Sequence, residues 1–251
     1  MTRTKTNCPD KSVLHYSSSV QYVKDVLDST YTLGPWLGGY ELEGHTLLAR
    51  RYSNLKDERE KKLIAQAIVK LLDDPDYSCD AIPVASELGL EEAKDWFLNL
   101  SKKSLEEIRN VKTNGYSNAL YCFLNFILNQ YDKVFLSFIK KILNESQDRL
   151  EVMRALSILS EVEPDLALEA IPKHIPLLMQ VDNEESKKTA FQQITIGVFK
   201  RYGDRFCTEL ANKFKTNLSN EFRLIFYKSL EQISRFKPYL EELKKILEIN
   251  N

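Results

Sequence analysis

The sequence predicts an all-α protein: an α-solenoid, or α-α superhelix, of about six helical hairpins behind an N-terminal helical cap. Three observations predict it. Apolar residues recur at spacings of three and four over long segments, with almost no strand-like alternation. The breaks within hairpins are short and carry Pro75, Pro164, Gly203 and Pro238, which end a helix or fit the first turn of the next. Asp76, Asp165 and Asp204 follow three of these breaks, where a carboxylate meets the free N–H groups and positive dipole end of a new helix. With 251 residues, 43% of them hydrophobic, the chain can bury a substantial core.

Residues 1–17 read as an irregular N-terminus without the apolar run of a signal peptide. Residues 18–55 read as the cap: a helix over 18–31, then the bend "TLGPWLGGYELEGH", which holds four of the eight glycines. Gly34, Gly38, Gly39 and Gly44 do not make a phosphate cradle, because neither Lys-Ser nor Lys-Thr follows and no strand precedes them. Their expected role is to let the chain bend. Trp36 either caps the first repeat or waits on the surface for a partner. On a helix, Glu41 and His45 would share a face as half a metal site. No further ligand lies nearby, so Leu42, Leu47 and Leu48 are expected to pack a helix while His45 and Arg50 face solvent.

Residues 56–251 read as the solenoid, continuous with the cap as one domain. Helices are expected over 56–74, 76–89, 91–101, 104–112, 116–129, 131–145, 148–162, 164–181, 184–202, 204–217, 220–235 and 237–249. Leu156, Leu159, Ile194, Val198, Leu230 and Ile233 recur in the first helices of successive hairpins and should form one core. The longest apolar stretch, "ALYCFLNFIL", is too short to span a bilayer and contains Asn125, which leads us to expect a soluble cytoplasmic protein with no membrane partner.

One internal match is more specific than punctuation. "DPDYSCDAIP" at 74–83 aligns without a gap on "EPDLALEAIP" at 163–172, both with two prolines at one spacing. Each copy places a proline inside the second helix, where it loosens or kinks it. Over 148–249 the chain resembles tandem HEAT repeats. "RLEVMRALSILSEVEPDLALEAIPKHIPLLMQ" is similar to that pattern in its basic residue before Ala-Leu, its Pro-Asp turn and its second helix ending in Leu-Leu. The likeness is weaker back to Lys56, and the last unit, "SRFKPYLEEL", lacks the turn Asp. The resemblance implies a stacked array with a protein-binding surface and no chemistry.

Catalytic signals are sparse. Cys8, Cys79, Cys122 and Cys207 form no close pair for a metal or a redox dithiol. His15, His45 and His174 are far apart, and no serine stands in a G-x-S-x-G elbow. The acid doublets Asp73-Asp74, Glu91-Glu92, Glu106-Glu107, Glu184-Glu185 and Glu241-Glu242 fall at helix ends, where solvated acids are ordinary. We expect no catalytic residue, no cofactor and no metal.

Thirty-five basic residues against 36 acidic ones give no reason to expect a polyanion or an anionic membrane as partner. The charge is uneven along the chain. Residues 73–110 carry ten acids and four bases, whereas residues 186–246 carry thirteen bases and six acids, a balance of +7. The bases are either solvated faces or a basic surface that steers an acidic protein. On the second reading Lys187, Lys188, Arg201, Arg205, Lys213, Lys215, Arg223 and Lys228 attract the partner. Tyr202 and Tyr227 anchor it, while Phe206 and Phe214 pack the core. The function expected is a non-enzymatic binding protein, with an immunity protein or inhibitor that covers a toxin as its particular form. The alternative is a HEAT-like nucleic-acid binder or alkylation-repair DNA glycosylase. That reading rests on Asp95 and Trp96, which lie in the most acidic part of the chain.

Overall fold

The structure is a computed structural model that describes residues 12–32, 41–114, 118–181, 183–202 and 204–249. Side chains at 30–32, 41–42, 196–202, 204–207 and 234–235 lie outside that description. The chain divides into two compact units, Met1–Phe135 and Leu136–Asn251. The boundary falls inside the stretch read from sequence as one array. Apart from one short ribbon, the described residues build helices packed against one another, as the spacing of apolar residues predicts.

The first unit opens on a short 3-10 turn, Val13–His15, whose first residue is buried. Helix α1, Ser19–Leu27, starts where the Ser18 hydroxyl accepts the Gln21 N–H, and it buries Tyr22, Val23, Val26 and Leu27. It stops earlier than the spacing suggests. Strand β1, Thr30–Thr32, pairs antiparallel with β2, Glu41–Glu43, with Thr30 opposite Glu43. Three residues are too few to register as an alternation, although Thr-Tyr-Thr is strand-favouring. Helix α2 runs Gly44–Asn54 and buries Leu47 and Leu48. A Cβ on Gly44 would run into the Leu27 carbonyl, so this glycine serves a close approach of α2 to the end of α1. Gly34, Trp36, Gly38 and Gly39 lie outside the described residues.

Helix α3, Glu58–Leu71, is capped by Asp57, and α4, Ser78–Leu88, ends on Gly89 at φ 56°, in the left-handed region. There follow α5, Lys94–Ser101, α6, Leu105–Arg109, with a Ser104–Glu107 capping box, and α7, Ala119–Asn129. Phe97, Phe123, Phe126 and Phe135 form the buried aromatic core, with the Phe97 and Phe126 rings stacked 4.2 Å apart.

The second unit runs through α8, Leu136–Glu145, α9, Arg149–Val162, α10, Pro164–Leu178, α11, Glu184–Tyr202, α12, Asp204–Asn217, α13, Asn220–Glu231, and α14, Leu240–Ile246. A 3-10 turn over Ser234–Tyr239, containing Pro238, replaces the start of the last expected helix. Helix α9 packs on α10 and α11, and α11 packs on α13. Leu156, Leu159, Ile194 and Leu230 are buried as expected, Ile233 is only partly so, and the Val198 side chain lies outside the described residues. Phe214 joins Phe191 and Phe226 in a ring cluster, its centroid 4.6 Å from that of Phe226. Among the described residues no helix is long and apolar enough to cross a membrane.

Candidate functional site

The basic C-terminal third is the natural place to look, and most of its described cations are already engaged. Lys187 stands 3.8 Å from Glu221. Lys188 lies 3.4 Å from both Glu184 and Glu185. Lys228 reaches Glu184 at 3.2 Å and Lys215 reaches Glu248 at 2.7 Å. Arg223 donates to the Leu247 carbonyl at 3.0 Å and lies 3.7 Å from Glu248, with Asn220 as a further partner.

The consequences run both ways. Lys228 and Lys188 hold the Glu184 carboxyl below its ordinary range, and Lys215, then Arg223, do the same for Glu248. Burial works against the charge of Lys188, yet Glu185 and Glu184 more than offset it and its pKa rises. Glu184, Glu185 and Glu248 sit just outside the basic window. Widened to 184–248, that window holds thirteen bases and nine acids, +4 in place of +7. Exposed pairs of this kind contribute little stability each, but they leave less charge to steer a partner.

The aromatic anchors change too. Tyr227 is buried, and its pKa is raised by burial and then by Glu231, so it belongs to the packed interior rather than to an open surface. The side chains of Arg201, Tyr202, Arg205 and Phe206 lie outside the described residues.

Lys213 is placed differently from the other expected cations. It lines an open cleft of about 390 Å³ between α10 and α12, with Leu168, Glu169, Pro172 and Lys173 from α10 and Asn217 beside it on α12. Leu168 and Pro172 are buried and make an apolar floor. Glu169 and Lys173 are exposed on the rim, and Asn217 turns its amide back onto the Lys213 carbonyl at 2.8 Å. His174, the next residue on α10, is half-buried, and its pKa is lowered by that burial and then by the neighbouring Lys173.

The floor of the cleft has an unusual backbone. Pro172 has no N–H to donate to the Leu168 carbonyl one turn back, and Pro176 has none for the carbonyl of Pro172. Two successive acceptors on this stretch of helix therefore lack the donor an α-helix normally supplies.

The matched hairpin in the first unit meets the same situation. Pro83 lies inside α4 and cannot serve the Cys79 carbonyl. Asn114, from the irregular segment after α6, supplies the missing donor: its backbone N–H reaches that carbonyl at 2.7 Å. Its side-chain amide donates to the buried Asp80 carboxyl, also at 2.7 Å. One residue thus satisfies both polar groups.

Sequence reasoning selected Lys213 and missed Leu168, Glu169, Pro172, Lys173 and Asn217. The signal was present in the "AIP" match and in two prolines four apart, since a proline at position i always frees the carbonyl at i−4.

The other candidates are less open. Glu41 lies in β2 and helix α2 begins at Gly44, so Glu41 and His45 do not share a helix face. The His45 side chain is 13% exposed and stands 3.5 Å from Glu43, which corrects the solvent-facing placement. Arg50 is exposed as expected. The Trp96 indole donates to Asp73 at 2.7 Å and its ring meets Phe97 edge-on, while Asp95 is exposed in the first turn of α5. Cys122 is buried and its thiol is pushed up to about 12 by that burial. Among the described residues no group of three or more His, Cys, Asp or Glu is arranged to hold a metal ion. No family model, no curated protein and no solved structure matches the chain.

Proposed function

We propose that this chain is a non-enzymatic protein-binding module, an array of HEAT-like hairpins whose second unit docks a partner at the α10–α12 cleft. One observation carries the reading: a hairpin of similar local sequence in the first unit has its freed carbonyl and adjacent acid taken up by a segment of chain, whereas in the second unit the matched residues Leu168, Glu169 and Pro172 line an open cleft. Lys173 and Lys213 on the rim favour a partner with an acidic surface. Within this class we retain the immunity or inhibitor role, which requires a stoichiometric complex that suppresses the partner's activity.

The test uses the full chain and the partner that co-purifies from its native host. Reversing Lys173 and Lys213 to glutamate should weaken that complex and flatten its dependence on salt. Tight binding to random duplex DNA, abolished by the same reversal, would instead support the nucleic-acid alternative. A complex indifferent to both reversal and salt would remove the cleft from the interface.

A further inference from the structure

From the way the first unit fills the matched position, we infer what the cleft takes: an extended partner segment presenting an asparagine next to an acidic residue. The inference rests on the protein-binding reading above and adds the chemistry of the bound segment. The gapless match puts Leu168, Glu169 and Pro172 in register with Cys79, Asp80 and Pro83. In the first unit the occupant is Asn114, which uses its main-chain N–H for the carbonyl that Pro83 cannot serve and its side-chain NH2 for the acid. An asparagine is suited to both tasks because its amide carries two donors a short distance from its own backbone N–H.

The same two acceptors recur in α10. The Leu168 carbonyl lacks its helical donor, and the Glu169 carboxylate stands beside it at the rim. Among the described residues no main-chain N–H from outside α10 reaches the Leu168 carbonyl. A carbonyl that has lost its i+4 donor keeps acceptor capacity that a regular helix has already used, so an incoming N–H gains more here than at a regular helix.

The two positions differ in one way that sets specificity. Val84, fully buried in the first unit, is replaced in register by the exposed Lys173, and α12 adds Lys213. The segment that fits the second unit therefore resembles Asn114 and its neighbours but carries a carboxylate toward these two lysines. A volume of about 390 Å³ is in the range of sites that take a few side chains.

The chain supplies its own probe. A capped synthetic peptide of residues 111–118, "VKTNGYSN", and a version with Lys112→Glu are titrated into isotope-labelled full-length protein, and amide shifts are followed by NMR. The Lys112→Glu peptide should bind saturably, moving amides of Leu168 to Lys173 and Lys213 to Asn217. Changing its asparagine at position 114 to alanine should weaken it about tenfold, as should Glu169→Ala in the protein, the loss expected for one charge-assisted hydrogen bond. Lys213→Glu should turn the preference toward the unmodified peptide.

No saturable shift at millimolar peptide, or binding insensitive to both alanine changes, overturns the inference. If the peptide fails while the native partner still depends on Lys173 and Lys213, the binding reading stands and the asparagine chemistry falls. If neither depends on them, both fall.

Discussion

The hairpin α3–α4 and the hairpin α9–α10 enter their second helices through a similar ten-residue pattern, yet they end in different states. In the first, Asp80 and Ser86 are buried and Asn114 donates to both the Cys79 carbonyl and the Asp80 carboxyl. In the second, the residue matched to Asp80 is the exposed Glu169, and the residue after the matched proline is Lys173 where the first unit has Val84. An internal proline does not decide by itself what becomes of the carbonyl it frees. The outcome depends on which segment lies over that carbonyl, and on whether the next side chains along the helix are apolar or charged.

Each hairpin rests on a fully packed core, and the largest expected effects come from opening it. Phe126→Ala in the first unit should cost about 3–5 kcal/mol and Leu156→Ala in the second about 2–5 kcal/mol, because both side chains are fully buried. Urea denaturation of the full chain measures both. A midpoint unchanged by either substitution would mean that the unit concerned is not packed as described.

A smaller effect separates the two prolines. Pro172→Ala gives the Leu168 carbonyl a helical donor again and should stabilise, by less than about 3 kcal/mol because the freer unfolded chain takes some of the gain back. Pro83→Ala offers an N–H to a carbonyl that Asn114 already serves at 2.7 Å, so its gain should be smaller. Equal gains at the two sites would show that the Asn114 bond contributes nothing.

The closing residue can also be tested directly. Asn114→Ala removes a hydrogen bond to a buried carboxyl and should cost about 1–3 kcal/mol. Glu169→Ala, at the exposed counterpart, should stay within about 0.5 kcal/mol. Comparable losses would erase the distinction between a filled and an open site.

Much of this was legible from residues. The helices from Lys56 onward follow the period of their apolar positions, and Ser, Asp and Asn caps fix several starts to within two residues of those expected. The β1–β2 ribbon was not legible, because its two strands are three residues each and are joined across the glycine-rich stretch. The site was half legible. Lys213 was selected for its charge, but local charge counts ignore Glu184, Glu185 and Glu248, which approach from neighbouring turns and helices and take up Lys188, Lys215 and Lys228. Tyr227 reads as a surface anchor by residue type alone, since helical spacing does not say how deeply a hairpin's second face is covered.

The smallest expected effect concerns His174, two residues past the matched proline, where the first unit has the fully buried Ala85. The folded protein lowers the pKa of His174 below its ordinary value of 6.5, chiefly by burial and then through Lys173. Between the lowered value and 6.5 the unfolded chain therefore binds more protons than the folded one, and stability must rise with pH across that interval. The contribution is complete above 6.5, is lost as pH drops through the folded value, and changes no further below it. Asp74, Asp132, Glu184 and Glu248 are also lowered, but from 3.8 or 4.5, so their losses begin at more acid pH. Denaturation midpoints taken from about pH 7.5 down to about pH 5 should decline in the parent protein and stay flat in His174→Gln. Lys173→Glu, which removes the second cause, should make the decline shallower. A decline that persists unchanged in His174→Gln would place the titrating group elsewhere and take His174 out of the comparison between the two hairpins.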